Sequence, residues 1–431
     1  MTETIVTDWK PIAEGSLLES ARATGADLEA ALRELIAAGK VVEEKFPGGA
    51  AGFAGGHAGQ ALLFAELHTA GREGAGEIAL AQVDKAAELI SSEIMPPSLF
   101  SGFVGVAATL SLMEGRLLEV PEESATQEID ELLLTHLKGD TWRRDYDIVS
   151  GLTGFGVYAL SRLPNPVARD LVAEIVRRMD EMSEPMAVGI SWHTPATMML
   201  QETAERYPSG YYNLGLAHGI PGPLGFLGQA IAEGIEVERA RRLFEGAAAW
   251  MLSSRLADPK PGATLPAFTG AEAEYAASRS AWCYGDPGAA IGLWVGADAA
   301  GYDDLAAQAL EMAVAASQRP MDECGVIDAG ICHGAAGLAH MYNRLYQATG
   351  RAELREAAGR WLEQMLKMRK PGTGIAGYQA WGPSRDFEDD PGLLTGVCGL
   401  LLVILAATEP HQPRWDHLLL MAPSPRAAQR A

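Results

Sequence analysis

The sequence predicts an all-α protein, an α/α toroid with a double ring of about fourteen helices built from seven helix-pair repeats. Three observations support this prediction. A Gly-x-x-Gly signal recurs seven times in the 431-residue chain, and an apolar run with helical spacing follows each copy. Residues that can bind metal stand at equivalent places in two neighbouring copies.

The repeat is defined by the order and spacing of its glycines. The first glycines of the seven copies are Gly56, Gly102, Gly151, Gly219, Gly285, Gly334 and Gly396. The steps between them are 46, 49, 68, 66, 49 and 62 residues. A step of 46 to 49 residues accommodates two helices and their loops, and glycine lets each loop turn sharply. In the sixth copy the apolar residues after Gly334 follow one helical face, and residues 305–317 predict a second amphipathic helix upstream.

The spacing also predicts the domain organisation. We expect one domain over residues 1–431, because the repeat extends along most of the chain. The two longest steps predict rim insertions near residues 187–208 and 258–275. If the ring closes, the residue before each first glycine lines a central pit. These residues are Gly55, Ser101, Ser150, His218, Tyr284, His333 and Thr395.

Composition excludes several classes of function. The 56 acidic residues against 34 basic ones give a formal charge of -22, which argues against binding to nucleic acid or to an anionic membrane. We find no apolar run long enough for membrane insertion and no secretory pattern in residues 1–14. Four cysteines are too few for a disulfide framework, so a cytoplasmic location is expected.

Three residues are candidate metal ligands: Cys283, Cys332 and His333. Three such ligands leave one position of a tetrahedral zinc shell open, which is typical of catalytic rather than structural sites. Two thiolates and an imidazole leave Zn²⁺ nearly neutral, which favours an incoming thiolate, and zinc-activated water is the competing use. The alternative for a single buried cysteine is a small core residue.

Other polar residues are expected near the same pit. His218 is a candidate acid or base because its ordinary pKa lies close to neutrality. Asp147 or Asp145 is in place to orient a histidine, and the sequence does not separate the two. Arg279 and Tyr284, which flank Cys283, are candidates for stabilising a developing anion.

The Trp-Cys-Tyr-Gly motif at residues 282–285, the Cys-His-Gly motif at 332–334 and the Gly-Leu-Ala-His-Gly segment at 215–219 resemble those of the lanthionine synthetase C-like (LanC) cyclases. The resemblance implies an α/α toroid and a zinc-dependent enzyme that closes thioether rings in lanthipeptides, including lantibiotics. It implies zinc ligation by Cys283, Cys332 and His333, and acid–base chemistry at His218 with Asp147.

The same resemblance implies further roles and partners. Arg279 and Tyr284 would stabilise an enolate or position the substrate. The partners would be a dehydrated, leader-bearing precursor peptide, a separate lanthipeptide dehydratase and an exporter, because the chain is too short to include a fused dehydratase domain.

Two other classes of function stay open at the level of sequence. An α/α-toroid glycoside hydrolase would share the architecture but requires paired carboxylates in the pit and no thiolates. A non-catalytic LanC-like protein would bind glutathione or a signalling partner.

Overall fold

The computed structural model describes residues 9–40, 49–119, 126–139, 142 and 144–424. The predicted domain of residues 1–431 therefore includes residues outside this part, and its extent stays a prediction. The described residues form the helices α1 (Gly15–Ala37), α2 (His57–Thr69), α3 (Ala75–Ser92), α4 (Phe103–Met113), α5 (Gln127–Leu137), α6 (Leu152–Ser161), α7 (Pro166–Met182), α8 (Gln201–Arg206), α9 (Pro221–Ala232), α10 (Val237–Ser253), α11 (Asp286–Ala300), α12 (Asp303–Ser317), α13 (Ala335–Thr349), α14 (Ala352–Lys367) and α15 (Val397–Thr408).

Seven helices form a closed inner ring. Each begins one or two residues after the first glycine of a Gly-x-x-Gly signal, and they are α2, α4, α6, α9, α11, α13 and α15. Each packs against the next, and α15 returns to α2. Seven further helices (α1, α3, α5, α7, α10, α12 and α14) form the outer ring, and the short α8 belongs to neither. The predicted all-α toroid of seven helix pairs is confirmed.

The loops that lead into the inner helices are joined by backbone hydrogen bonds. The joining residue stands two positions before each first glycine: Ala54, Phe100, Val149, Ala217, Cys283, Cys332 and Leu394. In six of the seven steps one of these residues donates its amide to the carbonyl of the next, at 2.9 to 3.4 Å. The ladder brings equivalent residues of neighbouring loops side by side around the pit.

The second glycine is required by close packing in six of the seven signals, the exception being Gly222. A Cβ atom at Gly288 would lie 2.1 Å from the carbonyl oxygen of Trp282, and one at Gly337 would lie 2.0 Å from that of Ile331. Real Cβ atoms do not approach a backbone oxygen so closely. Glycine therefore allows the first turn of each of these six helices to pack directly on its own loop.

The inner helices are buried more completely than the sequence predicts. All of α15 is buried, and so is every residue from 335 to 345 of α13, where one apolar face was expected. An inner helix contacts its outer partner, two inner neighbours and, for α13, the C-terminal segment. Every side of α13 is covered from residue 335 to 345, so burial extends beyond the apolar face that the sequence indicates.

The C-terminal segment, residues 415–422, is buried between the inner helices. Asp416 contacts His340 and Arg344 of α13, at 2.6 Å from His340 Nε2. The indole of Trp282 donates to the carbonyl of Leu419 at 2.9 Å. This hydrogen bond joins the C-terminal segment to the loop that carries Cys283.

Short strands lie in the long steps of the repeat. They are β1 (Glu184–Pro185), β2 (Ile190–Ser191), β3 (His193–Thr194), β4 (Tyr211–Asn213), β5 (Phe268–Thr269), β6 (Ala380–Trp381) and β7 (Phe387–Glu388). Antiparallel pairing gives the hairpins β1–β2 and β6–β7 and a sheet of order β3-β4-β5. The hairpin β6–β7 occupies the 62-residue step, where no insertion was expected. Within the described ranges, no helix has the length and apolarity needed to cross a membrane.

Candidate metal centre

Cys283, Cys332 and His333 come together at the pit. Their ligand atoms all lie within 4.8 Å of one another. The amide of Cys283 donates to the carbonyl of Cys332 at 3.1 Å, so the two cysteines are adjacent through the ladder of loops. Both are free thiols. Equivalent positions in neighbouring repeats thus bring two sulfur donors and one nitrogen donor into one cluster.

The chemistry of this cluster fits zinc. The pKa of Cys283 is well below its usual value, mainly because the Cys332 thiol donates to it, and His333 and Arg279 lower it further. Arg279 Nη2 lies 3.5 Å from Cys283 Sγ. A thiolate, a second thiol and an imidazole are the donors that Zn²⁺ prefers. The three residues would leave a fourth position for another ligand.

A buried carboxylate stands behind His333. Asp328 Oδ2 is 3.1 Å from His333 Nε2, and none of its side chain reaches solvent. The distance is that of a hydrogen bond, although the ring is turned so that Nε2 does not point directly at the oxygen. Burial alone would lower the pKa of His333, but the contacts with Asp328 and Cys283 raise it to about 9.

His218 and Asp147 form a second pair in the pit. His218 Nδ1 lies 2.5 Å from Asp147 Oδ2, and the other carboxylate oxygen accepts the amides of Ser150 and Gly151. Solvent reaches 47% of the His218 side chain, so the ring is only partly removed from water. Burial therefore lowers its pKa, but the hydrogen bond to Asp147 and the charges of Asp147 and Cys283 outweigh that effect and raise it.

Asp145, the alternative partner for His218, has a different environment. Burial and the neighbouring charge of Asp147 raise the pKa of Asp145 to about 6. Of the two aspartates, Asp147 is the one that contacts the His218 ring. The structure therefore separates two residues that the sequence left equivalent.

Tyr284 is held by a residue that sequence reasoning missed. Asn213 Nδ2 donates to the Tyr284 hydroxyl at 3.0 Å, and Asn213 Oδ1 accepts the amide of Gly215. Burial raises the pKa of Tyr284 above its usual range, so the phenol keeps its proton. With its oxygen already accepting, the hydroxyl can donate that proton into the pit.

Aromatic side chains continue from Tyr284 towards the rim. Phe268 on β5 meets Tyr284 edge-on at 6.3 Å and stacks on Tyr211 of β4 at 4.7 Å. Both Phe268 and Tyr211 are half-buried. We call Tyr211, Phe268 and Tyr284 the aromatic wall. Its two rim members come from the strand segments and were not predicted.

The sequence prediction and the structure agree on proximity. All three candidate ligands cluster, Arg279 contacts Cys283, and His218 pairs with Asp147. The missed residues Asp328 and Asn213 share one signal, because each stands six positions before the first glycine of its loop, as Arg279 does. That offset could have identified them.

The fold and the cluster define a class: an α/α toroid with a sulfur- and nitrogen-lined candidate metal site in its central pit. Within that class, the chain belongs to the lanthionine synthetase C-like protein family, whose profile it matches over residues 53–420.

Two relatives illustrate the similarity. The nisin biosynthesis protein NisC of Lactococcus lactis subsp. lactis is 25% identical over 388 residues, covering 84% of this chain and 86% of that protein. The solved structure of nisin cyclase has a TM-score of 0.72 at 21% identity, covering 92% of this chain and 97% of that one. The structural match establishes the shared toroid fold.

Proposed function

We propose that this protein is a zinc-dependent lanthipeptide cyclase. It adds a cysteine thiolate of a dehydrated precursor peptide to the β-carbon of dehydroalanine or dehydrobutyrine, and the product is lanthionine or methyllanthionine. The observation that carries the proposal is the joint placement of the Cys283, Cys332 and His333 cluster and the His218–Asp147 pair in one pit. The family membership supports it.

Cys283, Cys332 and His333 would hold the metal. When bound, zinc supplies Lewis acidity that favours the thiolate form of a peptide cysteine. Arg279, beside Cys283, keeps positive charge at the same point. This cation offsets the negative charge of the sulfurs, which would help the site to accept an anionic thiolate.

His218 and Asp147 would carry out the proton transfers of the reaction. The peptide thiol loses a proton, sulfur bonds to the β-carbon, and the π electrons move to the α-carbon and its carbonyl as an enolate. A proton returned to the α-carbon completes the reaction without change of mass. Asp147 fixes Nδ1 of His218, so Nε2 is the atom available to accept or donate that proton.

Tyr284 and Arg279 would stabilise the enolate. The Tyr284 hydroxyl keeps its proton and is oriented by Asn213, so it can donate to developing negative charge without reorganising. Tyr211 and Phe268 extend this surface towards the rim and would contact the peptide next to the reacting residue.

The biological setting follows from this reaction. The substrate would arrive from a separate dehydratase with its leader attached, and the product would pass to an exporter. We place these steps in the cytoplasm.

The test uses dehydrated precursor, purified protein and thiol alkylation followed by mass spectrometry. The protein should carry about one zinc per chain, and the number of alkylated cysteines should fall while the peptide mass before alkylation stays constant. His218→Asn should keep zinc and lose cyclisation by about 100-fold or more. Persistence of free thiols with the wild-type protein would contradict the proposal. Equal binding of the peptide by both proteins without cyclisation would indicate a non-catalytic binder.

A further inference from the structure

Asp328 is the buried carboxylate nearest the candidate metal centre, and the mechanism above gives it no task. Its Oδ2 atom accepts the amide of Trp381 at 3.0 Å and lies 3.1 Å from His333 Nε2. A carboxylate removed from water is costly unless its partners compensate. Two nitrogen neighbours at Oδ2 supply part of that compensation, whereas Oδ1 is buried without a hydrogen-bond partner among the described residues. The charge lies behind the ligand ring.

The position of Asp328 in its repeat is one at which other loops also carry a side chain that contacts the pit. The residue six before the first glycine contacts a pit-lining side chain in three other loops. Asn213 holds Tyr284, and Arg279 contacts Cys283. In the seventh loop, Asp390 Oδ2 accepts the hydroxyl of the following Thr395 at 2.5 Å. Arg279 and Asp328 are the members of this set whose targets are candidate metal ligands, and Asp328 is the one that carries a negative charge.

The contact indicates which nitrogen of His333 would bind a metal, although Nε2 forms no hydrogen bond in this orientation of the ring. Because Nε2 faces Asp328, Nδ1 is the nitrogen left for a metal. Histidine ligands generally give their other ring N–H to a carboxylate or carbonyl, which sets the tautomer and makes the ligating nitrogen more basic. The inference requires the ring to turn about its Cβ–Cγ bond until Nε2 donates to Asp328 Oδ2.

The same oxygen connects the ligand to the rim. Trp381 lies on β6, and the turn of the β6–β7 hairpin carries Arg385, which pairs with Glu202 of α8. The ligand and this hairpin therefore share one anchor. A substitution at Asp328 should therefore change both the metal affinity and the hydrogen exchange of the Trp381 amide.

We propose that Asp328 is a positioning residue that orients His333 for metal binding and ties this ligand to the β6–β7 hairpin. The inference rests on the proposed metal centre and does not require the cyclase reaction. Asp328 touches neither substrate nor metal, since it acts through His333.

The test compares Asp328→Asn and Asp328→Ala with the matched variant Asp390→Asn. Asp390 stands at the equivalent position one repeat later, where it bonds Gly392 and Thr395 instead of a ligand. Zinc affinity is measured by competition with a chromophoric chelator. Cobalt substitution reports the ligand field by absorption, and hydrogen exchange reports the Trp381 amide.

Both Asp328 variants should bind zinc about 10- to 100-fold more weakly, with Ala the weaker, while Asp390→Asn stays within about 3-fold of wild type. The cobalt d–d bands should shift, and the Trp381 amide should exchange faster, only in the Asp328 variants. Wild-type zinc affinity and cobalt spectra in both Asp328 variants would overturn the inference. So would an equal loss in Asp390→Asn, which would indicate a general effect on folding.

The outcomes separate this inference from the proposed function. Wild-type protein that binds zinc and cyclises, with unaffected Asp328 variants, refutes the inference alone. Zinc binding that depends on Asp328 in a protein that does not cyclise refutes the cyclase alone. Wild-type protein that binds no zinc overturns both.

Discussion

Acidification should destabilise the protein through His417, a buried histidine of the C-terminal segment. Its side chain is 3% exposed, and Nδ1 donates to the carbonyl of Arg414 at 2.5 Å. Burial lowers the pKa of His417 from 6.5 to about 4. The folded protein thus keeps this ring neutral at pH values where the unfolded chain protonates it.

The sign and size of the effect follow from this pKa. Between pH 6.5 and 4 the unfolded chain binds more protons at this position, so the contribution to stability is complete above 6.5 and falls as the pH falls. From pH 6.5 to 5, at 1.36 kcal/mol per unit, the loss is about 2 kcal/mol. Burial also lowers the pKa of His340, which adds a loss of the same sign.

The assay is urea unfolding of metal-free protein at pH 7 and pH 5. Wild type should lose about 2 kcal/mol more free energy of unfolding over this interval than His417→Gln, because the other titrating groups are common to both. Replacement of the exposed His68 by Gln is the matched control and should lose as much as wild type. Equal losses in wild type and His417→Gln would refute the reasoning.

Three further predictions concern packing, substrate contact and the C-terminal anchor. Gly288→Ala should lower the free energy of unfolding in urea by several kcal/mol, because its Cβ would lie 2.1 Å from a backbone oxygen. The control Gly359→Ala has open space around its Cβ and should raise that free energy by about 0.5 to 1 kcal/mol. Similar values for the two variants would contradict the packing argument. Phe268→Ala should raise KM for the dehydrated precursor several-fold with little change in kcat or zinc content, and an unchanged KM would remove the aromatic wall from the substrate path. Arg344→Met should destabilise by about 3 to 5 kcal/mol, because it leaves Asp416 charged and buried; a calorimetric Tm within error of wild type would count against it.

The sequence predicted the toroid because its constraints are local. Glycines are required wherever a helix packs on its own loop, as at Gly288 and Gly337, so the repeat is visible without knowledge of tertiary contacts. Cys283 and Cys332 occupy the same offset in neighbouring repeats, which suggested their proximity before the ladder of loop hydrogen bonds was known. The family resemblance supplied the expected roles, which stay proposals.

The residues that were missed depend on contacts distant in sequence. Asp328 and Asn213 share an offset with Arg279, but the three side chains differ in chemistry, so the offset becomes a signal only when the loops are compared position by position. Tyr211 and Phe268 become neighbours only when β4 pairs with β5. The burial of α13 on all sides likewise depends on the C-terminal segment, whose place within the ring no periodicity reveals.

The ring is completed by a helix from each end of the described chain. The outer partner of α15 is α1, and ahead of α1 the indole of Trp9 donates to the carbonyl of Ala406 at 2.9 Å. An open solenoid has terminal repeats that can fray, whereas the packing of α1 on α15 leaves no terminal repeat among the described residues. Adding or deleting a unit would change the circumference and the angle between the loops of Cys283 and Cys332. The number of repeats is thus tied to the geometry of the candidate metal ligands. We expect insertions to be confined to the connections between helices, where the strand segments lie.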